Sequence, residues 1–200
     1  RHLASYTPGT GQWLTSTDEY RQWLQGADLG LLWIKGIPGS GKSVHVAKLI
    51  DDLGKANPGC PVLFFFFRQI IAANHNPQAL LRDWLEQVLH YSPPLQHQLW
   101  TYIEDGVSLS SLSTNDLLKD LQMAFRGLPD RVFCVADALD EMDTGNDAFL
   151  RTIGSLGQWK PAKVKVLISS RPVPRVEIPL RQTPALHIRL EERLVDVDIS

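Results

Sequence analysis

Short runs of uninterrupted apolar residues alternate along this chain with stretches in which apolar residues recur every three or four positions. Leu31–Ile34, Val62–Phe67, Val132–Ala136, Val164–Ile168 and Ala185–Leu190 are too brief for helices and read as strands. VLFFFF (62–67) carries no polar alternation, so it is expected to be buried on both faces, as in a parallel sheet. Between the runs lie helical patterns. Ser16-Thr17-Asp18-Glu19 resembles a capping box ahead of Tyr20, Trp23 and Leu24. Val44–Leu53 reads as a helix. Asn76-Pro77 caps a helix that sets Leu80, Leu81, Trp84, Leu85, Val88 and Leu89 on one face. Leu117, Leu121 and Phe125 mark another, and Ala148–Leu156 a further one. Ser92–Thr114, with Pro93-Pro94 and a serine-rich stretch around Leu109, gives no clear element. Strands alternating with helices predict an α/β three-layer sandwich around a mostly parallel sheet.

Composition narrows this little. The 200 residues suit one large domain, and 44% hydrophobic with 21% charged is ordinary for a globular chain. A formal net charge of −2 argues against a strongly electrostatic nucleic-acid binder. No apolar stretch approaches the roughly 18 residues of a membrane span, and no signal peptide heads the chain. Cys60 and Cys134 form neither a disulfide framework nor a metal site, and the simplest reading is buried reduced thiols in a cytoplasmic protein. The chain begins with Arg1 rather than Met, which suggests a fragment of something longer.

Gly36-Ile37-Pro38-Gly39-Ser40-Gly41-Lys42-Ser43 fits G-x-x-x-x-G-K-[ST] in full, and it falls directly after a strand and before a helix. Its glycines let successive backbone N–H groups turn inward around an anionic oxygen, and the helix that follows offers its N-terminal donors, Val44 included. Lys42 supplies a point charge for the β and γ phosphates, and the Ser43 hydroxyl can ligate Mg2+. A phosphate loop needs an acid at the tip of a second buried strand, and Asp137 ends Val132–Ala136. Many ATPases follow that acid with a glutamate that polarises water. Here small Ala138 follows, and Asp140 and Glu141 come three and four positions on, either of which could reach the γ-phosphate. VLISSRP (166–172) ends a third strand with Arg171, placed to sense or neutralise that phosphate.

Together LLWIKGIPGSGKS (31–43), FFFFR (64–68), VADALDE (135–141) and VLISSRP (166–172) resemble the NACHT group of signal-transducing (STAND) P-loop NTPases, in its fungal NACHT and nephrocystin-3-like N-terminal type. The entry segment PGTGQWL (8–14) is also of that kind. The resemblance implies a P-loop NTPase fold whose sheet has five parallel strands in the order 5-1-4-3-2. Residues 1–30 would form an entry segment and capping helix, and residues 31–200 the nucleotide-binding core. It further implies a switch in a fungal NLR-like, incompatibility or innate-immune type of protein, resting with diphosphate and self-associating with triphosphate. Carried over by position, Lys42 and Ser43 bind phosphate and Mg2+, Asp137 supports the metal, Asp140 or Glu141 positions water and Arg171 is a sensor. Thr10 and Gly11 would lie toward the base and ribose. The helical and winged-helix lid domains of such proteins are absent from this stretch, so weaker binding and faster exchange are expected.

The leading expectation is therefore a regulatory NTPase that slowly hydrolyses ATP to ADP, or GTP to GDP, with Mg2+, without nucleic-acid or membrane partners. A small-molecule phosphotransferase is an alternative, though no arginine-rich lid is visible. A non-hydrolysing nucleotide-binding scaffold is another. Missing N-K-x-D leaves the choice of base open. Trp33 and Trp84 read as core, while Trp13 adjoins the entry loop.

Overall fold

In the computed structural model, which describes residues 12–71, 74–159 and 163–190, the apolar runs form five strands: β1 (Leu31–Gly36), β2 (Val62–Phe66), β3 (Val132–Asp137), β4 (Val164–Ser170) and β5 (Leu186–Leu190). All pair in parallel in the order β2-β3-β4-β1-β5, the expected order read from the opposite edge. Trp33 of β1 lies opposite Ile168 of β4 and His187 of β5. The connections are helical: α1 (Gln12–Thr15), α2 (Asp18–Gln25), α3 (Lys42–Ala56), α4 (Pro77–Val88), α5 (Pro93–Glu104), α6 (Thr114–Arg126), α7 (Asp147–Ser155) and α8 (Pro174–Leu180).

Side-chain alternation in the strands divides the interior into two cores. On one face Leu32, Ile34, Phe133, Val135 and Leu167 pack against Leu14 of α1, Trp23 of α2 and Val46, Leu49 and Leu53 of α3. On the other, Cys134, Val166 and Ile168 meet α4, α6, α7 and α8 through Trp84, Phe125, Ile153 and Leu180. Each such aliphatic or aromatic side chain taken fully out of water contributes about 1.5–3 kcal/mol. Trp33 and Trp84 are core residues, as their positions predicted. Cys134 is buried and Cys60 only half-buried, and both are free thiols.

Three expectations change. β2 is an edge strand whose two faces are covered unequally: Leu63 and Phe65 are buried in the core on the α4 side, while Val62, Phe64 and Phe66 are half-buried against the core on the α3 side. Its open edge is blunted by Gln87 of α4, whose amide accepts from Phe64 N and donates to Phe64 O, both at 2.9 Å. α2 starts where expected, but Thr17 caps it alone, accepting from Tyr20 N, so position N3 carries a tyrosine and no reciprocal acid. A capping box does occur at Ser113 and Asp116, at the start of α6. Finally, the stretch left unread holds α5, whose Pro93 and Pro94 occupy its first turn, where a missing N–H costs nothing.

The amino-terminal ends of the strands are closed by α2. Trp23 Nε1 donates to Gly30 O at 3.1 Å, Arg131 reaches Leu24 O at 2.7 Å, and Lys165 Nζ caps Gly26 O. Gly30 and Gly157 touch backbone to backbone, and a Cβ on Gly30 would stand 2.2 Å from Gly157 O. Among the described residues, no helix is long and apolar enough to cross a membrane.

Candidate functional site

The opposite ends of the strands, where β1, β3 and β4 finish side by side, carry the chemistry. β1 leaves through α3 on one face of the sheet, and β4 leaves through α8 on the other. Adjacent strands whose connections diverge in this way open a crevice at their carboxyl ends, the usual ligand position in open α/β sheets.

From β1 the chain turns through Ile37–Gly41 into α3. Gly39 (φ 80°) and Gly41 (φ 76°) lie in the left-handed region, so the loop needs glycine there, and Gly41 serves as the helix N-cap without any side chain. Lys42 Nζ donates to Gly36 O at 2.7 Å and Ile37 O at 2.8 Å, which holds the ammonium over the loop. Burial lowers the Lys42 pKa from its ordinary value; Asp140, Asp137 and Glu141 oppose that, and Arg171 adds to it. Ser40 Oγ is buried in the loop without a hydrogen-bond partner among the described residues. A buried hydroxyl of this kind suits a ligand that brings its own oxygens.

Asp137 ends β3, buried, with both carboxylate oxygens engaged. Ser43 Oγ donates to Oδ2 at 2.6 Å, and Ser169 Oγ, from β4, donates to Oδ1. Ser169 also accepts from Ala138 N at 3.0 Å. Ala138 is left-handed (φ 56°, ψ 48°), the only described non-glycine residue with positive φ. That kink starts a 3-10 turn over Leu139–Glu141 and carries the next two acids back toward the crevice. Asp140 is buried at 2% exposure and takes Arg171 in two places, the backbone N at 2.9 Å and Nε at 2.5 Å. It is thus no solvated acid at a helix start. Glu141 accepts from Gln69 N at 3.2 Å and stands 4.0 Å from an Arg171 terminal nitrogen.

A cavity of about 400 Å3 is lined by Pro38, Gly39, Gly41, Lys42, Ser43 and Val44 of the loop and helix, and by Ala138, Asp140, Glu141 and Arg171 opposite. Residues selected from three separate motifs therefore share one cavity. Asp137 sits just behind it, bonded to Ser43. Ser40 is buried in the turn, Gly36 closes β1 beneath, and Ile37 points its exposed side chain outward. Thr10 and Gly11 lie outside the described residues. Trp13 packs edge-on against His45 of α3, with ring centroids 5.8 Å apart. Ser169 and Ala138 were not singled out for these roles by sequence; the hydroxyl run at the end of β4 was the available signal.

Among the described residues, no cluster of three or more His, Cys, Asp or Glu side chains forms a ready-made metal cage. The hydroxyl of Ser43 and the carboxylate of Asp137, 2.6 Å apart, are hard oxygen donors that fit Mg2+, which takes few protein ligands and completes its shell with water and phosphate.

The family model described as Nephrocystin 3, N-terminal matches residues 9–171. The chain is 29% identical over 199 residues to the vegetative incompatibility protein HET-E-1 of Podospora anserina, covering 94% of this chain but 14% of that protein's length. Among solved structures it is similar to Cdc6p from Pyrobaculum aerophilum (TM-score 0.59, 18% identity, 94% of this chain and 48% of that one). It is also similar to the Aeropyrum pernix ORC1 protein, solved in complex with DNA (TM-score 0.56, 12% identity, 98% and 50%). At such identities these two likenesses concern the fold alone, which is that of the P-loop NTPases.

Proposed function

The chain belongs to the nephrocystin-3 N-terminal family, of NACHT type, and on that premise we propose that it binds a magnesium nucleoside triphosphate and hydrolyses it slowly as a signalling switch. The observation that carries this reading is the convergence of Lys42, Ser43, Asp137, Asp140, Glu141 and Arg171 on one crevice. Loop amides and the α3 N-terminus receive the phosphates, and Lys42 exchanges its two loop carbonyls for phosphate oxygens. Ser43 and Asp137 hold Mg2+, which when bound neutralises charge on the β and γ oxygens. Asp140 or Glu141 orients the attacking water, and Arg171 meets the terminal phosphate.

The family match and the incompatibility protein that the chain resembles favour a switch over a phosphotransferase. Self-association with triphosphate, a cytoplasmic setting and an incompatibility-type output are part of the proposal, by extension from the name of the longer relative. ATP and GTP are both covered by the proposal. Nucleic acid has no role in this reading; the DNA in the ORC1 structure belongs to that protein.

Titrating ATP, ADP, GTP and GDP with Mg2+ while following thermal unfolding tests it, since a ligand of the folded state adds RT ln(1 + [L]/Kd) to stability. Lys42→Ala is expected to abolish the shift. Affinity retained within about threefold, under ~0.7 kcal/mol, would remove the assignment.

A further inference from the structure

Two carboxylates compete for one task in that reading, and their surroundings are not alike. Asp140 is all but out of reach of water, and one residue of β4's exit occupies both its oxygens: Oδ1 accepts from Arg171 N and Oδ2 from Arg171 Nε. Arg171 keeps 41% of its side chain exposed, so its anchored end is fixed while its terminal nitrogens remain at the cavity. Glu141 differs. Its side chain is 32% exposed; Oε2 accepts from Gln69 N, and Oε1 stands 4.0 Å from an Arg171 terminal nitrogen, beyond hydrogen-bond reach. A group that polarises water must present an oxygen to that water. Glu141 meets that requirement, and Asp140 does not.

Resting on the proposed nucleotide function, we propose that Asp140 is a positioning residue that clamps Arg171, that this clamp lets the site distinguish triphosphate from diphosphate, and that Glu141 is the acid that meets the attacking water. An arginine already held at its backbone N and its Nε loses little freedom when its terminal nitrogens engage a phosphate. The two-point hold also explains why an acid stands at this position within the turn. Ala138 throws the chain left-handed, and that sets Asp140 inward against the start of the segment after β4.

The test measures Mg2+-dependent affinities for a non-hydrolysable triphosphate and for diphosphate by calorimetry, together with single-turnover phosphate release. It compares the unsubstituted chain with Asp140→Asn, Arg171→Lys, the double variant and Glu141→Gln. Asp140→Asn and Arg171→Lys should each reduce the triphosphate-to-diphosphate affinity ratio about tenfold, and the double variant should lose no more than either, as residues acting through one contact do. Lysine keeps the charge but lacks the Nε–H that Asp140 holds. Glu141→Gln should instead slow phosphate release from bound triphosphate by about a hundredfold. Multiplying losses in the double variant would overturn the proposal. So would collapse of phosphate release in Asp140→Asn at an unchanged affinity ratio, which would make Asp140 the water-facing acid. Should Asp140→Asn unfold, an unchanged ratio in Arg171→Lys overturns it equally. If the unsubstituted chain binds neither nucleotide, the proposed function itself falls, and this inference with it.

Discussion

Ser169 does two jobs with one hydroxyl: it donates to Asp137 Oδ1 and accepts from Ala138 N, at a position with no solvent exposure. Ser169→Ala removes both bonds at once, the one to the carboxylate worth about 1.5–3 kcal/mol and the one from the amide about 0.5–1.5 kcal/mol. The expected result is a fall in the nucleotide-free unfolding midpoint of roughly 2–4 °C per kcal/mol for a chain of this size, with Ser169→Thr retaining most of it. A midpoint within 1 °C of the unsubstituted chain would show the hydroxyl to be idle. This residue marks where sequence reading ends. Lys42, Ser43 and Asp137 were legible because a phosphate loop and an acidic strand tip are local patterns with a chemical reason. The Ser169–Asp137 and Asp140–Arg171 bonds join positions 32 and 31 residues apart; Asp140 and Arg171 each stood out in a motif of their own, but that they hold one another, and that a serine at a strand end holds Asp137, follows only from the sheet order.

At the scale of elements, strand and helix periodicity was legible wherever burial is continuous, and failed where an element depends on what packs beside it. β2 has the most apolar sequence of the five strands yet sits at an edge, because edge position follows from chain order and not from composition. α5 was hidden by two prolines that its first turn tolerates. Its attachment to α6 includes an unusual pair, in which the Tyr102 hydroxyl donates to both oxygens of Asp120 at 3.2 and 3.1 Å. Burial pushes the Asp120 pKa up from 3.8, against the opposing pull of that hydroxyl. A carboxyl whose folded pKa exceeds its unfolded value contributes stability below the unfolded value and loses it as pH rises through the folded one. Asp120→Asn, which can still accept from Tyr102, should therefore raise the unfolding midpoint at pH 7, and the gain should shrink toward pH 4. Denaturation scans of both proteins across that range decide the matter. A gain that is constant with pH, or a loss at pH 7, would show that the ionised form is the one the α5–α6 contact prefers.

Across the whole molecule, five parallel strands send their carboxyl ends to a single edge, so the phosphate loop, the acidic turn and Arg171 share it, while α2 and the Gly30–Gly157 contact seal the other. The two ends should respond to nucleotide differently. At a hundredfold excess over Kd a ligand of the folded state adds about 2.7 kcal/mol, which for a chain of this length moves the midpoint by roughly 5–10 °C. Hydrogen exchange should place the added local protection on the amides of 36–44, 138–141 and 171. These lie in the phosphate loop, the first turn of α3, the acidic turn and the exit of β4, which a bound phosphate chain would hold closed. Amides of 24–30, in a segment whose carbonyls at Leu24, Gly26 and Gly30 are held by Arg131, Lys165 and Trp23, should change only to the extent that global opening is suppressed. A second cavity of about 350 Å3 between α7 and α8, which carries Arg151 and Arg181, supplies the competing outcome. Protection centred there, with 36–44 unmoved, would mean that the nucleotide binds by surface charge and that the crevice at β1 and β4 is not its site.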